Sequence, residues 1–141
     1  MKRKIRCAAA CLLLLGFTVC PCFAQGVHEK YLALTFDDGP SGQFTRRLLE
    51  GLESRQAQVT FFLCGYRMEQ YPDLAGEMVA AGHEIGLHGY SHSCMSCMEE
   101  EMLEQELSRT EDLLWEQTGV QSSLLRPPGG KAGRTVVQAA E

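Results

Sequence analysis

Asp37 and Asp38 stand side by side at the end of the run Tyr31-Leu32-Ala33-Leu34-Thr35-Phe36 and are followed by Gly39-Pro40. Two adjacent carboxylates at the mouth of an apolar segment are costly unless a cation meets them. Further along, His88-Gly89-Tyr90-Ser91-His92 sets two imidazoles four residues apart. On one helical turn or a tight loop they face a common point, the arrangement a transition metal requires. A carboxylate joined to this pair makes a two-His, one-carboxylate ligand set. Zinc is the default for such a set, and Co2+, Mn2+ or Ni2+ also suit it. Arg126 precedes Pro127-Pro128-Gly129-Gly130, where a guanidinium could pair with one aspartate and orient it. His83, at the other end of its strand, is read as structural. Spacing alone leaves open which carboxylate would bind the metal.

The elements that must position these residues alternate. Apolar, β-favouring runs at about 31–36, 58–64, 84–88 and 122–125 read as strands, the first of them buried on both faces. Helical periodicity marks about 43–55, with Phe44, Leu48 and Leu52 as its stripe, and about 72–81, with Leu74 and Met78 and a stop at Gly82. A long helix is expected over about 97–117, with a capping box Ser96-x-x-Glu99, an apolar stripe of Leu103, Leu107 and Leu114, and a solvated acidic face. Another helix begins in 131–141. Such alternation implies an α/β fold with parallel strands, in which catalytic groups gather at the carboxyl ends of strands. Asp37 and Asp38, His88 and Arg126 fall at three such ends.

Residues 1–24 read as a secretory signal peptide: Lys2, Arg3, Lys4 and Arg6, an apolar stretch from Cys7 to Val19, and Cys22-Phe23-Ala24 as the cleavage site. A secreted or extracytoplasmic chain follows, in the cell wall or periplasm, with no stable membrane anchor after cleavage. Cleavage removes four of the 13 basic residues and none of the 18 acidic ones. The acidic remainder argues against nucleic acid as a partner. Cys64 reads as a core residue. Cys94 and Cys97 have a Cys-x-x-Cys spacing, which suits redox or metal chemistry or a surface disulfide.

With these clusters together, the chain resembles the polysaccharide deacetylase family, the carbohydrate esterases of family four that carry the nodulation protein B homology domain. Thr35-Phe36-Asp37-Asp38-Gly39-Pro40, His88-x-x-x-His92 and Arg126-x-Pro128-x-Gly130 match its first three motifs in order, and Val59–Leu63 and Gly82–Gly86 match connecting segments. The resemblance implies a deacetylase domain over 28–141, forming the N-terminal part of a distorted (β/α)7 barrel. It implies a metal-dependent hydrolase that removes N- or O-acetyl groups from a polysaccharide such as peptidoglycan, chitin or xylan. Asp38, His88 and His92 would bind the metal, Asp37 would serve as general base, and Arg126 would aim it. Three positions depart from the family pattern: Leu87 for Asn, Gly89 for Ser or Thr, and Gly129 for an aromatic. The family's fourth and fifth motifs, the fifth supplying the general acid, have no counterpart here. A barrel of this kind takes about 200 residues or more, so a truncated product is expected. For it, the alternative function is that of a catalytically impaired remnant that binds metal or glycan only. A thiol-redox protein using Cys94 and Cys97 is the third reading.

Overall fold

The computed structural model describes residues 30–140. The expected signal peptide lies outside them. Three parallel strands, β1 (Thr35–Gly39), β2 (Thr60–Leu63) and β3 (Glu84–Leu87), form a sheet in the order β1-β2-β3. The helices are α1 (Gly42–Glu53), α2 (Gly65–Gln70), α3 (Pro72–Ala80), α4 (Glu100–Thr118) and α5 (Arg134–Ala139). Among the described residues, no helix is long and apolar enough to cross a membrane.

The central strand is the most apolar, and alternation divides its side chains between two faces. Phe61 and Leu63 point into the main core, where Leu52 of α1, Met68 of α2, Ala75 and Met78 of α3, and Leu114 of α4 cover them. Burying each large side chain contributes about 1.5–3 kcal/mol. Phe62 points to the other face, where Gly86 of the adjacent strand leaves room for its ring. A second cluster of Met95, Leu103 and Val136 joins α4 to α5.

Several expectations are corrected. The first strand spans Thr35–Gly39 rather than 31–36 and is not buried on both faces; Tyr31 and Leu32 are exposed. It pairs with β2 alone among the described strands, and that pairing begins only at Thr35 opposite Thr60. The expected fourth strand is reduced to one parallel bridge, Leu87 to Leu125, in which the Leu87 N–H donates to the Leu124 carbonyl and the Arg126 N–H to the Leu87 carbonyl, while one step upstream the Ser122 hydroxyl, rather than a backbone N–H, meets the Ile85 carbonyl. The stripe of α1 is rotated: Thr45 and Leu52 are buried and Phe44 is exposed. The capping box is absent. Glu99 occupies the N-cap of α4 without a side-chain cap, while Ser96 sits in a 3-10 turn (Met95–Cys97) with its hydroxyl against Cys94 Sγ. Gly82 stops the segment after α3 with φ of 82°.

Candidate active site

The register of β1 explains how adjacent aspartates serve one site. Phe36 pairs with Phe61 and Gly39 with Leu63, so Asp37 and Asp38 together oppose Phe62. This is a β-bulge, which leaves one residue unpaired and re-aims its neighbours. In a regular strand the two carboxylates would point to opposite faces. Asp38 instead takes φ of 67°, a left-handed conformation that Asp tolerates better than most residues, and both side chains are accessible at the carboxyl end of β1.

His88 follows β3 directly and is 3% exposed. Its backbone N–H donates to the Leu63 carbonyl at 2.9 Å. Its Nδ1 lies 2.6 Å from the Arg126 carbonyl oxygen. That oxygen can only accept, so Nδ1 carries the proton and, in the neutral ring, Nε2 carries the lone pair. Nε2 faces Asp38 Oδ1 at 3.2 Å, and His92 Nε2 reaches the same oxygen at 2.9 Å. Lone pairs in such proximity are favourable only with a proton or a cation among them. One ligand atom from each of Asp38, His88 and His92 lies within 4.8 Å of the others, a grouping that could hold a metal ion. Two imidazole nitrogens and one carboxylate oxygen fit a borderline divalent ion.

The structure also brings Arg126 and Asp37 together. Arg126 Nη1 donates to Asp37 Oδ1 at 2.6 Å and to Thr35 Oγ1 at 2.8 Å, and the guanidinium carbon lies 3.9 Å from the centroid of the Phe62 ring. A cavity of about 300 Å3 opens beside the aspartates, lined in part by Phe36, Phe44 and Arg67. A larger hollow of about 670 Å3, lined by Arg46, Glu50, Glu53, Glu77 and His83, holds none of the candidate residues. His83 packs edge-on against Phe61 and accepts the Val59 N–H at Nδ1, 3.4 Å away. Burial holds its imidazole below the ordinary value.

The loop between the two histidines is not helical. Gly89 has φ of 78°, and a Cβ there would meet Met95 Cε at 2.6 Å, which accounts for glycine at this departure from the family pattern. Cys94 and Cys97 are joined in a disulfide just after His92. Cys64 is a buried free thiol, pushed up to about 12 by its burial and, secondarily, by the charge of Asp38. Sequence reasoning missed Glu106, whose Oε2 accepts the backbone N–H groups of Tyr90 and Ser91 at 2.9 Å each. A signal for it existed: Glu106 falls between the buried positions Leu103 and Thr110, on the apolar face of α4.

Comparison with known proteins bears on the family and the fold. A peptidoglycan-N-acetylglucosamine deacetylase from Bacillus cereus is 34% identical over 109 residues, covering 77% of this chain and 40% of the relative. The solved structure of the peptidoglycan deacetylase PdaC from Bacillus subtilis superposes with a TM-score of 0.76 at 31% identity, covering 79% of this chain and 55% of that one. A family 4 carbohydrate esterase from Streptomyces lividans, solved with acetate, gives 0.75 at 34% identity, covering 78% and 57%. The chain thus spans 40% of that curated relative's length and just over half of those solved chains. Its strands and helices form the N-terminal part of the distorted (β/α)7 barrel of these proteins. The family described as Polysaccharide deacetylase matches residues 24–141, and the chain belongs to that family of carbohydrate-deacetylating hydrolases.

Proposed function

We propose that this chain provides the metal-binding and base side of a deacetylase that hydrolyses acetyl groups on a cell-wall polysaccharide. The observation that carries this reading is the convergence of Asp38, His88 and His92 at the carboxyl ends of β1 and β3. Asp38 Oδ1 and the two Nε2 atoms would hold a divalent ion, with zinc the best match to the donors. Such an ion, when bound, supplies Lewis-acid polarisation of an acetyl carbonyl and acidifies a water molecule.

The chain's own residues supply the rest. Asp37 takes the proton from the attacking water as general base. Arg126 fixes Asp37 Oδ1 and with it the direction of the second carboxylate oxygen. The Arg126 carbonyl holds His88 Nδ1–H, so one residue braces both the base and a ligand. Peptidoglycan is the favoured polymer because the similar proteins are named for it, and N-acetyl groups are the corresponding target. The basic start and apolar stretch of residues 1–24 support export to the cell wall.

The test is acetate release from peptidoglycan and from an acetylated chito-oligosaccharide, with zinc present and after chelation. Release that stops on chelation and returns with zinc is expected. Release indifferent to chelator contradicts the metal assignment. Zinc uptake without acetate release from either substrate reduces the function to metal or glycan binding.

A further inference from the structure

We propose that Glu106 is a positioning residue for the second histidine ligand, an inference that rests on the metal reading above. Between His88 and His92 the chain must turn back within three residues, and two of those residues, Tyr90 and Ser91, present backbone N–H groups to the same carboxylate oxygen. The oxygen belongs to a rigid support. Glu106 lies in the 19-residue helix α4, flanked by the fully buried Leu103 and Thr110. Its own carbonyl accepts the Thr110 hydroxyl at 2.6 Å. His88 needs no such help, because its backbone and ring are tied to Leu63 and Arg126.

Among the described residues, the ring of His92 reaches Asp38 Oδ1 but no hydrogen bond ties its backbone. His92 is 43% exposed at the side chain and sits at φ of 61°, a left-handed conformation that is costly for a non-glycine residue and persists only when its surroundings enforce it. Its backbone N follows directly on Ser91, the second residue that Glu106 grips. Opposite Glu106, the Gly89 and Tyr90 carbonyls accept from Gly65 and Tyr66 at the start of α2, both at 3.0 Å. The loop is therefore held from both sides, with Glu106 Oε2 the acceptor for both Tyr90 and Ser91 on the α4 side. A charged acceptor for two backbone donors is among the stronger hydrogen-bonding arrangements, and residues that orient metal ligands in this way change metal affinity about 10–100-fold when removed.

The experiment is zinc affinity by competition with a chromophoric chelator, on the full chain and on Glu106→Ala, Glu106→Asp and Glu106→Gln. Glu106→Ala and Glu106→Asp, the latter withdrawing the carboxylate by one methylene, are expected to bind zinc about 10–100-fold more weakly. Glu106→Gln keeps an oxygen at full reach and is expected to recover most of the affinity, a rescue that lost helix stability alone would not give. If Glu106→Ala fails to fold, the Asp and Gln pair carries the comparison. Wild-type affinity in Glu106→Asp overturns the role of Glu106 while leaving the metal site standing. A wild-type chain without zinc affinity overturns the metal reading and this one with it.

Discussion

Replacing glycine by alanine at two positions should move stability in opposite directions, for reasons visible in the packing. Gly65 opens α2 where the helix meets the histidine loop. A Cβ there would lie 3.1 Å from Tyr90 Cα and 3.2 Å from Thr110 Oγ1, and closer still to the Tyr90 ring. None of these neighbours can easily give way. The Tyr90 hydroxyl donates to Glu69 at 2.9 Å, and Arg109 lies 3.6 Å over the ring. The Tyr90 backbone is tied to Tyr66 and Glu106, and Thr110 is fully buried. Overpacking at so constrained a site costs about 1–3 kcal/mol. For a domain of this size that lowers Tm by roughly 4–13 °C. Gly51, inside α1, is the control. Its nearest neighbour to an added Cβ is Arg55 Nη1 at 3.7 Å, an ordinary contact, so alanine should gain about 0.5–1 kcal/mol from helix propensity. Thermal and urea unfolding of Gly65→Ala, Gly51→Ala and the wild type provide the assay. A Gly65→Ala protein as stable as the wild type would refute the claim that α2 and the histidine loop are in rigid contact.

Three further expectations concern single residues. The buried imidazole of His83 is held below its ordinary value by desolvation, so the unfolded chain takes up a proton first as pH falls; stability is complete above about 6.5 and declines below it. His83→Gln should flatten that decline in urea midpoints measured between pH 5 and 7.5, and an unchanged slope would remove His83 as a cause. Cys64, with its thiol pushed up to about 12 by burial, should resist alkylation at pH 8 in the native state and react once unfolded; peptide mapping that finds it modified in folded protein would contradict its placement. Arg126 and Asp37 are each about a third exposed, so solvent screens the pair. Arg126→Ala should cost only about 1–2 kcal/mol of stability, counting the ring contact with Phe62, and a loss near that of a large core truncation, about 3–5 kcal/mol, would show that the guanidinium carries more of the fold.

The sequence was informative where its pattern was strong and local. The apolar runs of β2 and β3 and the leucine spacing of α4 are visible directly, because each buries a continuous face. Asp37, Asp38, His88 and Arg126 stood out because polar residues ended apolar runs, and His92 because it follows His88 by four residues. What escaped were features made by pairing. The bulge that aims both aspartates exists only as a register shift against β2. Helix α2 has six residues, too few to show a period. Phe44 fits a helical stripe by spacing yet faces outward, since a single turn's phase is set by what packs against it. Glu106 looked like one more acid in an acidic helix, and its position among buried residues acquires meaning only when the histidine loop is placed beside it.

The central claim is that Asp38, His88 and His92 form one metal site while Asp37 stands apart from it. The most direct measurement is zinc stoichiometry and affinity in the wild type, Asp38→Ala, His88→Ala and Asp37→Asn. Asp38 is exposed, so its replacement should leave the fold intact. About one tightly held zinc per chain is expected in the wild type and in Asp37→Asn, with a loss of about 100-fold or more in affinity when a direct ligand is removed, beyond the effect of an outer residue. Zinc bound as tightly by Asp38→Ala and His88→Ala as by the wild type would contradict the account.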